Sequence, residues 1–175
     1  MENAGQPARS IRIIILMGVS GAGKTTIGKL LARDLGWEFY EGDDFHPVIN
    51  VDKMRRGLSL DDEDRAPWLQ ALRTLIHDLL DRSQHAVITC SALKQAYRKE
   101  LTKGYSHVAF VYLQGSYALI SRRLRSRRDH FMNPELLASQ FKTLEEPHDI
   151  PMVDIDHPPD IIVHNIKQRL ELTPI

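Results

Sequence analysis

Residues 18 to 25 read GVSGAGKT and fill the pattern G-x-x-x-x-G-K-[ST] completely. Glycines at these positions let backbone N–H groups turn inward around phosphate oxygens, and a helix N-terminus behind them adds a favourable dipole. An apolar run precedes the segment and a helical pattern follows it, which is the context that separates a phosphate-binding loop from a ligand-free glycine turn. The expected nucleotide contacts are therefore Gly18, Val19, Ser20, Gly21, Ala22, Gly23, Lys24, Thr25 and Thr26. Lys24 is expected to reach the β- and γ-phosphates of ATP, and the Thr25 hydroxyl to meet Mg2+.

The fate of the γ-phosphate has to be read from the other polar residues. Many proteins with this loop end a core strand in an aspartate that helps hold the metal, but VITCSALK (87 to 94) runs into Cys90 and Ser91 instead. A GTP-dependent switch would carry an N-K-x-D segment, and none is present. A small kinase needs an acceptor pocket beside the γ-phosphate and a mobile basic lid, because phosphoryl transfer is positioning and charge neutralisation in a site closed to water. The lid candidate is SRRLRSRRDHF (121 to 131), in which Arg123 and Arg127 stand four apart on one helix face; the plain alternative is a solvated basic helix. On the acceptor side, Asp43 follows a short strand and could take a proton from a hydroxyl and, as the carboxylate expected near the metal, help orient its water shell, whereas Asp44 reads as a turn residue. His46 could donate to a hydroxyl or simply pack. Asp61 to Asp64 suit a helix start, but Arg65 there is locally unfavourable and calls for an anionic partner. Cys90 reads as a small buried residue, since transfer from ATP to an alcohol needs no thiol. The eight histidines lack metal-ligand spacing, so no structural zinc is expected.

These residues need a scaffold, and the chain alternates short apolar runs with amphipathic stretches. IRIIILMG, WEFYEGDD, AVITC, VAFVYL and PMVDID read as strands. Between them, Ile27, Leu30, Leu31 and Leu35 recur at helical spacing, as do Trp68, Leu72, Ile76 and Leu79 in a helix expected to open near Pro67. YALISRRLRSRR, ELLASQFKTL behind Asn133 and Pro134, and PPDIIVHNIKQRL complete the helices. The expectation is an α/β fold: one kinase domain over residues 11–175, a parallel sheet of about five strands with helices on both faces, and a short basic lid. Residues 1–10 read as a frayed tail.

Composition bounds the partners. Lys plus Arg and Asp plus Glu are 23 each in 175 residues, so net charge offers no case for a nucleic-acid partner. One cysteine fits a reducing compartment, and no apolar run approaches a membrane span. A soluble cytoplasmic protein with no membrane partner is expected.

GVSGAGKT, GDDFHP, DDEDRAPWL, CSALKQAYR, HF at 130 to 131 and QFKTLEEP occur in the order and at about the spacing of gluconate kinases, and from about Ile13 to the closing helix the chain resembles that family. DDEDRAPWL together with CSALK is the more specific part, because the first motif is shared very widely. The resemblance implies ATP-dependent phosphorylation of D-gluconate at its 6-hydroxyl, with Mg2+, in a homodimer. It places Asp43 at the acceptor hydroxyl, puts Arg65, Ser91, Lys94 and Arg98 near the acceptor, and matches Arg123, Arg127 and His130 to the basic helix and lid, with Arg123 expected at the nucleotide, Arg127 in catalysis and His130 at the substrate. Gluconate is a small anion with five hydroxyls, and Arg65, Lys94 and Arg98 are the candidates for its carboxylate. The KMRRG arginines, Arg55 and Arg56, stay unassigned between surface and substrate. A kinase for another small acceptor and a non-catalytic ATP-binding regulatory module are the alternatives.

Overall fold

A computed structural model describes residues 10–126 and 134–172. Five strands, β1 (Ile13–Met17), β2 (Glu38–Glu41), β3 (Ala86–Thr89), β4 (Val108–Gln114) and β5 (Met152–Asp154), form one sheet in the order β2-β3-β1-β4-β5. All pairings are parallel. The central strand β1 is buried at every residue, as its near-continuous apolar run requires. Its pleat divides the core. Ile14 and Leu16 pack with Ile27, Leu31, Ile162 and Ile166 on one face, while Ile13, Ile15 and Met17 pack with Trp68, Leu72, Ile76 and Leu101 on the other.

The first layer is supplied by α1 (Lys24–Leu35) and α7 (Pro159–Arg169), the second by α3 (Asp62–Asp81) and α4 (Gln95–Thr102). α2 (Val48–Arg55), α5 (Tyr117–Ser126) and α6 (Pro134–Thr143) complete the described helices. No described helix is long and apolar enough to cross a membrane. Of the predicted tail only Ser10 is described, and its carbonyl accepts from Nδ1 of His107. Asn133, the predicted N-cap of α6, lies outside the described residues.

Two local features depart from expectation. The long helix α3 opens at Asp62 and not near Pro67. Asp61 accepts from the Asp64 N–H at 2.8 Å and Asp64 accepts from the Asp61 N–H at 3.1 Å, a reciprocal capping box. That box satisfies the first-turn donors five residues before the proline, so Pro67 sits inside the helix. α2 was not legible as a helix, since only Asn50 of its eight residues is buried and there is no apolar stripe to read.

Candidate active site

The phosphate loop leaves β1 at Gly18 and enters α1 at Lys24. Gly18, Gly21 and Gly23 have φ of +146°, +82° and +92°, values that bring N–H groups inward and that residues with a Cβ rarely adopt. The Lys24 ammonium arches back over the loop, donating to the carbonyls of Gly18 and Val19, each at 3.0 Å. Burial lowers its pKa, against which the carboxylates of Asp43 and Glu41 act. The loop is tied to the β3 end by the Gly18 N–H, which donates to the Ser91 carbonyl at 3.3 Å.

Glu41, the last residue of β2, supplies the carboxylate absent from the β3 end. Thr25 Oγ1 donates to one of its oxygens at 2.5 Å, and Thr89 Oγ1 donates to the other. Register makes this possible, because Glu41 pairs with Thr89 and Thr89 with Leu16. Gly42 permits the close approach: a Cβ there would lie 1.8 Å from the Thr89 carbonyl oxygen. Its N–H donates to Thr89 Oγ1 at 3.0 Å, and its carbonyl accepts from the Trp68 indole at 2.8 Å. The oxygen donors of Thr25 and Glu41 suit a hard cation such as Mg2+, which binds through one or two protein groups plus substrate phosphates. Glu41 went unrecognised in the sequence because an acid on an edge strand reads as a solvated position.

A cavity opens beside the loop. Lys24, Asp43, His46, Arg65 and Ser91 line it together, with Ser20 at its phosphate-loop edge. Asp43 lies in the 3₁₀ turn Gly42–Phe45 with its side chain 68% exposed, its carboxylate 3.9 Å from His46 Nε2. The His46 ring stacks on Trp68, centroids 4.3 Å apart, and Nδ1 meets the Asn50 amide at 3.3 Å. With Nδ1 accepting from that amide, the neutral ring carries its proton on Nε2, facing Asp43. Burial lowers the His46 pKa and the Arg65 charge adds to that, while Asp43 opposes it. Arg65 lies over the Tyr97 ring, 5.7 Å from its centroid, and donates to the Tyr97 hydroxyl at 3.3 Å.

The other two acceptor cations stand apart from this cavity. Lys94 donates to both oxygens of Asp62, at 2.8 and 3.0 Å, and Tyr97 donates to the same carboxylate. Bonding to Asp62 raises the Lys94 pKa, and bonding to Lys94 lowers that of Asp62. Arg98 is buried, with its guanidinium committed to the carbonyls of Ala92 at 2.9 Å, Leu93 at 3.2 Å and Glu145 at 3.0 Å. Ala92 has φ +42°, so Arg98 braces a strained turn that carries Ser91 and does not face the acceptor. Arg65 and Lys24 are thus the cations among the described residues lining the cavity. Arg123, expected at the nucleotide, donates to the Ile155 carbonyl at 2.7 Å. Arg127 and His130 lie outside the described residues. Burial pushes the Cys90 thiol up to about 12, so it is protonated at neutral pH and no nucleophile.

The far wall of the cavity is α6, through Leu136, Ser139, Gln140 and Thr143. These positions fall at i, i+3, i+4 and i+7, one face of a helix. Ser139 and Gln140 were not singled out from the sequence, although QFKTLEEP contains the glutamine.

Residues 13–151 match a family model described as an AAA domain. The thermosensitive gluconokinase of Escherichia coli (strain K12) is 48% identical over 147 residues, spanning 82% of this chain and 79% of the relative. The chain belongs to the gluconokinase family. Among solved structures, an unliganded sugar kinase from Janibacter sp. HTCC2649 superposes with a TM-score of 0.87 at 40% identity, covering 94% of this chain and 96% of the other. A gluconokinase from Sinorhizobium meliloti 1021 gives 0.82 at 37%, covering 95% and 94%. Membership accounts for a phosphate loop and a polar cavity side by side, and makes the chain an ATP-using kinase.

Proposed function

We propose that this chain transfers the γ-phosphoryl group of ATP to the 6-hydroxyl of D-gluconate, giving 6-phosphogluconate and ADP. The observation that carries the reading is the convergence of Lys24, Asp43, His46, Arg65 and Ser91 on one cavity beside the phosphate loop, in a member of the gluconokinase family. In this reading Asp43 orients the acceptor hydroxyl and takes its proton as the new P–O bond forms and the bond to the β-phosphate breaks. Lys24 neutralises charge on the transferring group. Arg65 holds the gluconate carboxylate, since Lys94 and Arg98 are already engaged. His46 and Ser91 offer hydrogen bonds to substrate hydroxyls, and a site built that way strongly disfavours analogues lacking them.

Mg2+ is the proposed ion, held by Thr25 with support from Glu41; when bound it would neutralise phosphate charge. Arg123 is proposed at the nucleotide, since its guanidinium carries further N–H donors beyond the one bonded to the Ile155 carbonyl. The homodimer rests on the family resemblance and is tested by mass in solution, and the cytoplasmic location rests on the single cysteine and the lack of a long apolar run in the sequence. An ADP-release assay across gluconate, other sugar acids, shikimate and nucleoside monophosphates tests the acceptor. Gluconate is expected to dominate, and turnover confined to another acceptor would refute the assignment.

A further inference from the structure

We infer that Gln140 is a positioning residue that couples the acceptor side of the cavity to the phosphate loop. Its side-chain carbonyl accepts the Ser20 backbone N–H at 2.7 Å, and its amide nitrogen donates to Ser20 Oγ at 3.2 Å. Both ends of one amide are therefore spent on a single loop residue 120 positions away. Ser20 lies between Gly18 and Gly21, and its N–H belongs to the class of donors such loops turn toward phosphate. Here that donor is held by α6. Ser139, the preceding residue, meets the hydroxyl of Ser59 at 3.0 Å, and Ser59 lies in the connection leading into α3, which carries Arg65. Gln140, Ser139, Ser20 and Ser59 all line the cavity. One turn of α6 thus joins the loop that holds the donor phosphates to the segment that holds the acceptor.

The consequence is reciprocal. An acceptor that orders the cavity face of α6 also fixes the Ser20 corner of the phosphate loop, and a nucleotide that fixes the loop orders the acceptor wall. Each ligand then strengthens the other by the same factor. This deepens the gluconate-kinase reading and rests on it.

Calorimetric titration of the full chain tests the coupling, with a non-hydrolysable ATP analogue and Mg2+, with and without saturating gluconate. In the unaltered protein gluconate is expected to tighten analogue binding about fivefold or more. Gln140→Met keeps helix and volume while deleting both bonds. It is expected to leave each separate Kd within about threefold and to bring the synergy to within about twofold of unity. A merely structural role would instead weaken both separate affinities and keep their ratio. Retained synergy in Gln140→Met, or no synergy in the unaltered protein although it turns gluconate over, overturns the inference. Should Gln140→Met fail to unfold cooperatively, Ser20→Ala decides: it deletes the hydroxyl bond alone and must lower the synergy, and unchanged synergy there also overturns it. If the unaltered protein neither binds nor phosphorylates gluconate, the parent reading falls first.

Discussion

Arg65 and Lys94 are both cations near the acceptor in sequence, and the structure gives them different work. Arg65→Met keeps an apolar stem over Tyr97 and removes the guanidinium from the cavity. Hydrogen bonds to charged groups contribute about 1.5–3 kcal/mol each. One such bond to the gluconate carboxylate, at about 2 kcal/mol, corresponds to about 30-fold in kcat/KM, and a two-bond fork to about a thousandfold. The loss of the 3.3 Å bond to Tyr97 costs about 1 kcal/mol of stability, which denaturant unfolding measures separately. Lys94→Met removes a charge already paired with Asp62 at a surface site, so kcat/KM for gluconate is expected to stay within about threefold. Steady-state kinetics with gluconate varied at saturating ATP, then the reverse, separates the two. KM for ATP should change by less than about threefold in both variants, because neither residue belongs to the phosphate loop. Equal losses in the two variants, or a loss in Arg65→Met confined to KM for ATP, would refute the assignment.

Other consequences follow from the same geometry. Lys24→Ala should cut phosphoryl transfer at least about a hundredfold with the melting transition retained, and full activity in that variant would sink the kinase reading. Asp43→Asn should lower kcat by about 100-fold or more; a change in KM alone would make it a binding group and not a base. The depressed His46 pKa makes stability pH-dependent: the unfolded chain binds the extra proton first, so stability is full above the ordinary value of 6.5 and falls as pH drops toward the folded value. Urea unfolding between pH 7.5 and 5 should show that slope, and His46→Asn should flatten it. Gly42→Ala should destabilise the fold by at least about 1–3 kcal/mol, read as a lowered unfolding midpoint, because its Cβ would meet the Thr89 carbonyl at 1.8 Å.

What the sequence discloses and what it withholds follow one physical line. The phosphate loop, the parallel sheet and the long helices are local patterns of glycine, apolar period and charge, and each is legible from neighbouring residues. The division of labour among cations is not. Lys94 is neutralised by Asp62 and Arg98 is bound to the carbonyl of Glu145, partners 32 and 47 positions away, so a window of sequence leaves all three basic residues equivalent. The carboxylate at Thr25 is hidden for a similar reason. The sequence points to Asp43 for the carboxylate near the metal, whereas sheet order β2-β3-β1 lets Glu41 on the edge strand reach across Thr89 to Thr25 of the loop. Pro67 misled because proline marks first turns, while the Asp61–Asp64 box, itself readable as an acidic cluster, sets the true start.

The central claim is tested most directly by following the purified chain with ATP, Mg2+ and D-gluconate by phosphorus NMR. The account predicts one new phosphomonoester on carbon 6 for every ADP formed. ADP without a gluconate phosphoester, or no turnover at all, would contradict it.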